Sequence, residues 1–211
     1  MNYRGVRIKS PTLIIIIVLN VVVFLMNSYF ETVKGSTIVY DTLQFASANI
    51  VDTNEWWRII TSMFVHYGPA HLLCNLFSLV YISDVILAHL GEKKFALIYF
   101  VSGICGSFMV LGYDILMDRA SFCGGASGAV CGMLGAILVL AFSKKRSFMF
   151  NKTAVIMVAA IMLLPGFVMP GISWQAHLGG LIGGIGITKL LDLIDDNKSN
   201  KYNNFNKYNN W

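Results

Sequence analysis

Long apolar runs alternate with short islands of charge along this chain, and that alternation limits the folds open to it. The run Leu13–Met26 carries no charged residue, and comparable runs recur as far as Leu193. A soluble domain holds about 25% charged residues. Here the charged share is 13%, the hydrophobic share 56% and the mean hydropathy +0.64. Apolar stretches of this kind point to an all-α, polytopic membrane protein. The net charge of +5 is no nucleic-acid signal, because the basic residues sit between the runs.

Six spans are expected, at about 11–30, 69–88, 95–116, 124–142, 153–170 and 174–193. Residues 1–10 precede the first span with Arg4, Arg7 and Lys9. The small-residue triplet Ala46-Ser47-Ala48 lies too far beyond that span for signal cleavage, so an uncleaved first span is expected. Residues 31–68 form a long outer loop. Its Phe45, Trp56, Trp57, Phe64 and Tyr67 fit a segment lying in the bilayer interface, or equally a small ordered loop folded on the helices. Pro69 fits a first helical position, and Pro165-Gly166 with Pro170-Gly171 breaks the fifth span. Residues 195–211, rich in Asn, Lys and Tyr, read as a polar, disordered tail.

The basic residues also orient the chain. Arg4, Arg7, Lys9, Lys93, Lys94, Lys144, Lys145, Arg146, Lys152, Lys189, Lys198, Lys201 and Lys207 fall on the side of the N-terminus. Only Lys34, Arg58 and Arg119 fall on the other. The positive-inside rule then puts both termini in the cytoplasm, and the compact six-span length suggests a bacterial plasma membrane. In that orientation spans two, four and six all run from outside to inside. His71, Ser127 and His177 lie two or three residues into them, so at ~1.5 Å per residue all three share one depth in the outer leaflet.

Their chemistry fits together. A serine hydroxyl is a poor nucleophile until a base takes its proton, and a neutral histidine such as His177 is suited to do so. His71 and Asn75, spaced i,i+4, present both side chains on one helix face. With the Ser127 backbone N–H they could stabilise an oxyanion. No carboxylate matches the depth of His177, since Asp84 lies deeper and Asp114 falls at the far end of span three; a Ser–His dyad is expected. Gly125, Gly128, Gly132 and Gly135 face a span carrying Gly179, Gly180, Gly183, Gly184 and Gly186, and small faces allow close helix approach.

Blander readings exist for each residue. Ser127 alone would be read as a packing residue, and His71 with Asn75 as interhelical hydrogen-bonding glue. His66 reads as a structural histidine ordering the loop, and Arg58 as a tie to backbone carbonyls or headgroups. The four cysteines show no CxxC spacing, so they read as small buried hydrophobes rather than metal ligands. No HExxH and no pair of mid-membrane aspartates is present.

Taken in order, Glu55-Trp56-Trp57-Arg58, His66, His71-x-x-x-Asn75, Gly125-x-Ser127-Gly128 and Ala176-His177-x-x-Gly180 resemble the rhomboid intramembrane serine proteases over about residues 55–187. The resemblance implies Ser127 as nucleophile, His177 as general base, and His71 and Asn75 in the oxyanion hole. It implies Gly125, Gly128 and Gly180 as supporting residues, no cofactor and no metal. It also implies a cap over residues 164–173, and single-pass membrane proteins as substrates, cut near the outer membrane face. Several members carry an aromatic one turn after the serine, stacked on the histidine. Here that position is Cys131, and Trp174 is the candidate substitute. Many members carry a polar pair just before that histidine, where this chain has Trp174-Gln175. The competing expectations are a catalytically weak rhomboid-like protein that binds membrane helices, and a metal or ion transporter using His66, His71 and His177. Lipid is the expected surrounding, and the sequence sets no oligomeric state.

Overall fold

The structure, a computed structural model, describes residues 10–143, 150–169 and 171–208. The N-terminal Arg4, Arg7 and Lys9, the Lys144-Lys145-Arg146 island and Pro170 lie outside the described residues. The first long helix, α1 (Pro11–Lys34), starts behind Ser10, whose hydroxyl accepts from the Leu13 N–H, and ends on Gly35 in the left-handed region. Its start is also tied to the next hairpin: the Glu92 carboxylate accepts from the Ser10 hydroxyl and the Thr12 N–H.

The loop after α1 is ordered and mostly helical. It holds α2 (Ile38–Leu43), β1 (Phe45–Ala46), α3 (Ser47–Asp52), α4 (Arg58–Thr61) and a 3₁₀ turn over Ser62–Phe64. The buried Arg58 guanidinium holds it together, donating to the Gln44 and Asp41 carbonyls and to the Glu55 carboxylate. This fits the structural role expected of Arg58. Helices α5 (Pro69–Leu90) and α6 (Glu92–Met117) form a hairpin turned at Gly91. After α6, β2 (Phe122–Cys123) pairs antiparallel with β1, the one departure from helix among the described elements.

Helix α7 (Ser127–Phe142) is short and enclosed, with 12 of its 16 residues buried. Then come α8 (Lys152–Leu163), α9 (Pro165–Val168) and α10 (Trp174–Tyr208). Helices α6, α7 and α10 pack on one another to form the centre. Small residues let them do so: a Cβ on Gly180 would meet the Gly128 carbonyl oxygen at 2.0 Å, and one on Gly184 the Gly132 oxygen at 1.9 Å. The outward faces of α1 and α5 stay apolar and exposed at Ile15, Leu25, Leu73, Phe77 and Tyr81. Such an exposed apolar surface suits a multi-pass membrane protein.

The span boundaries differ from expectation at two helix ends. Four helices, α1, α5, α6 and α10, are long and apolar enough to cross a membrane, while α7 and the α8–α9 segment are shorter. Span four loses residues 124–126, because Gly125 takes a φ of +127° that a helix does not permit. Span five breaks after Leu163, at the Pro165-Gly166 pair expected to break it. In the other direction, α10 does not stop at Leu193 but runs to Tyr208. Beyond Gly186 it meets neither glycine nor proline, so nothing in the polar tail breaks it.

Candidate active site

Ser127 is the first residue of α7, so its own N–H is one of the four that no helical turn satisfies. His71 and His177 also lie in the first turns of their helices, α5 and α10. The shared depth expected of the three residues therefore appears as a shared position at three helix starts. Side by side, they bring the Ser127 Oγ to 2.9 Å from His177 Nε2. The close α7–α10 contact at Gly128 and Gly180 makes that distance possible: Gly128 adjoins the nucleophile, and Gly180 lies one turn below the histidine.

His71 and Asn75 stand across the same cleft, which has a volume of about 790 Å³. Asn75 donates one amide proton to the His71 carbonyl of its own helix at 2.9 Å. That bond aims the side chain and leaves a second proton for the cleft. Gly125 is fixed from two directions. Its N–H donates to the Ser62 carbonyl at 2.9 Å, and a Cβ in its place would sit 2.9 Å from His71 Nε2. The positive φ and this close approach both require glycine.

His66 takes a larger part than the loop-ordering role read from sequence. It is 1% exposed, and its Nε2 accepts from the N–H of Ala126, the residue before the nucleophile, at 3.5 Å. Its ring meets that of His71 edge-on at 4.9 Å between centroids. Ser62 and His66 thus pin the turn that presents Ser127 and steady His71. The only sequence signal was a histidine five residues before His71; the Ser62 carbonyl, a backbone group, left none.

Cys131 is buried one turn after Ser127. Trp174 does not take the place of a ring on His177: it stacks on Phe167 at 5.2 Å and meets Tyr113 edge-on at 5.4 Å. The side chain is instead built into the contact between α9, α6 and the start of α10, where Gly166 lies against its backbone. Cys123, also in the cleft wall, is no rival nucleophile. Burial, with Asp114 nearby, pushes its thiol up to about 12. Cys74 is exposed rather than buried as expected. Among the described residues, no group of three or more His, Cys, Asp or Glu side chains is arranged to hold a metal ion.

Comparison with known proteins places the chain in a family. The family model described as the rhomboid domain matches residues 53–192. Rhomboid protease GluP of Bacillus subtilis is 33% identical over 172 residues, covering 80% of this chain and 33% of GluP. YdcA of the same organism is 30% identical over 191 residues, covering 90% of this chain and 92% of its own. RHOMBOID-like protein 1 of Arabidopsis thaliana is 34% identical over 139 residues, 64% of this chain and 34% of that protein. The chain thus spans about a third of GluP and nearly all of YdcA. With the family model covering most of its length, this multi-pass membrane protein belongs to the rhomboid family.

Proposed function

We propose that the chain is an intramembrane serine endopeptidase that cuts single-pass membrane proteins near the outer face of a bacterial plasma membrane. The observation that carries this reading is the 2.9 Å contact between Ser127 Oγ and His177 Nε2, made between two helices that only glycine allows so close. His177 takes the hydroxyl proton as Ser127 attacks the scissile carbonyl. The resulting oxyanion is met by the Ser127 N–H, the free amide proton of Asn75 and the His71 ring. The leaving amine takes its proton from His177, and water repeats the sequence to release the acyl group.

Length and charge support this membrane placement. In the six-span, termini-inside arrangement, α7 rises about 24 Å, less than the ~30 Å hydrocarbon core. A helix reaching the cytoplasmic side therefore begins below the outer boundary, which puts Ser127 within reach of a peptide bond that sits in the bilayer. Such a bond is accessible only where the substrate helix unwinds, so a helix-breaking segment is the expected recognition feature. Nothing in the site calls for a metal or cofactor.

The test is cleavage of a model single-span substrate with a helix-breaking segment, in liposomes. Wild type is expected to cut it, whereas Ser127→Ala and His177→Ala are expected to bind it uncut. Cleavage that survives Ser127→Ala would overturn the reading. Capture of substrate without cleavage by any form would favour the helix-binding alternative.

A further inference from the structure

The three groups assigned to the oxyanion differ in how they are held. The Ser127 N–H is fixed by the main chain, and the Asn75 amide by its bond to the His71 carbonyl. The His71 imidazole makes no hydrogen bond among the described residues. Rotation about the last bond of a histidine side chain is soft, so its neighbours must set the ring. Its Nε2 lies over the nucleophile turn, 2.9 Å from where a Cβ on Gly125 would stand. A turn of the ring would carry that nitrogen away from the place where the oxyanion forms.

Two rings flank it. His66 meets it edge-on at 4.9 Å, and Tyr67 lies nearly parallel to it, with 18° between the planes and 6.2 Å between centroids. Both separations fall in the range of favourable ring pairs. The sequence makes this possible: Pro69 starts α5 behind Gly68, so His66 and Tyr67 stand outside the helix and fold against its first turn.

Tyr67 is itself braced. Its hydroxyl donates to Gln44 Oε1 at 3.1 Å, and its ring meets that of Tyr40 at 5.4 Å. Gln44 caps α2, with its N–H on the Tyr40 carbonyl and its own carbonyl taken by Arg58. A line of support thus runs from Arg58 in the outer loop through Gln44 and Tyr67 to His71.

We infer that Tyr67 is a positioning residue: its ring, braced by Gln44 and Tyr40, holds the His71 imidazole toward the oxyanion. This rests on the oxyanion role proposed above for His71. It gives the outer loop a part in the chemistry, exerted through one aromatic ring. The ring acts, and the hydroxyl anchors it, with Tyr40 as a second anchor.

The test is a double-mutant cycle in the liposome cleavage assay, with kcat and KM measured separately. Tyr67→Leu removes the ring, and kcat is expected to fall about ten-fold with KM little changed. Tyr67→Phe keeps the ring and is expected to stay close to wild type. In a His71→Ala background, Tyr67→Leu is expected to change kcat no further. Tyr67 is 43% exposed, so its ring is not needed for folding, and the unfolding midpoint of each variant checks this. The same loss repeated in the His71→Ala background would overturn the inference, because Tyr67 would then act without His71. Tyr67 also lines the cleft; a change confined to KM would make it a substrate contact instead. Equal losses in Tyr67→Phe and Tyr67→Leu would shift the role to the hydroxyl and overturn the inference too. Wild-type kcat in His71→Ala would remove His71 from the oxyanion hole, and the positioning role with it. Cleavage surviving Ser127→Ala would remove the dyad itself, whatever the cycle gives.

Discussion

Burial lowers the His66 imidazole to a pKa of about 4, and the neighbouring His71 adds to the effect. An unfolded histidine titrates near 6.5. Between those values the unfolded chain binds the extra proton and the folded chain does not, so stability falls as pH drops through the window. The full loss, on the order of 3 kcal/mol, is reached below pH 4. The midpoint of thermal unfolding in detergent should therefore fall between pH 7 and pH 4.5, and His66→Gln should flatten that slope. Equal slopes in both proteins would show that His66 is not the group responsible. Asn75 offers a kinetic test at the same scale. Losing an oxyanion donor costs about 10²–10³ in kcat, so Asn75→Ala should lose that much turnover with KM little changed; a change confined to KM would make Asn75 a binding residue. Ser127, His177 and His71 were legible in sequence because each is a polar residue in an apolar run, at a repeated distance from a span start, and Asn75 by its i,i+4 spacing from His71. His66 and the Ser62 carbonyl were not, because their role exists only once the outer loop folds back onto the nucleophile turn.

At the scale of helices, the site depends on how closely α7 and α10 approach. A methyl on Gly180 would meet the Gly128 carbonyl oxygen at 2.0 Å, whereas a Cβ at Gly186, on the same helix, meets nothing within 4 Å. Gly180→Ala must push the helices apart next to Ser127, at a cost of about 1–3 kcal/mol, and should abolish cleavage. Gly186→Ala should leave cleavage intact and raise stability slightly, since alanine is the better helix former by about 0.5–1 kcal/mol. Equal effects on unfolding would mean that helix propensity, not the α7–α10 contact, governs the response. The glycine spacing that makes this packing possible is plain in the sequence. Helix ends were less legible, because a positive φ at Gly125 or an unbroken polar stretch after Gly186 is settled by tertiary contacts and by the absence of a breaker, neither of which periodicity reports. Trp174 shows the same limit: its place next to His177 in the chain suggested a ring on the base, but Phe167 and Tyr113 claim it.

For the whole molecule, charge asymmetry and helix order make one joint statement about orientation. If Lys and Arg mark the cytoplasmic side, the α5–α6 turn at Lys93 faces inward and the α6–α7 turn at Asp118 faces outward, together with the mouth of the cleft. Both positions lie at helix ends away from the proposed site, so single cysteines there can be introduced into a background with the four native cysteines replaced. Asp118→Cys should react with a membrane-impermeant maleimide in intact cells, and Lys93→Cys only after the membrane is opened. The reverse pattern would turn the molecule over and place Ser127 at the inner face. Labelling of both from outside would mean that α6 does not cross. The result bears on chemistry as well as topology: in the expected orientation α7, only 16 residues long, starts below the outer surface. A substrate helix must then unwind from its outer end to reach Ser127, so moving the helix-breaking segment of a model substrate to its cytoplasmic end should abolish cleavage.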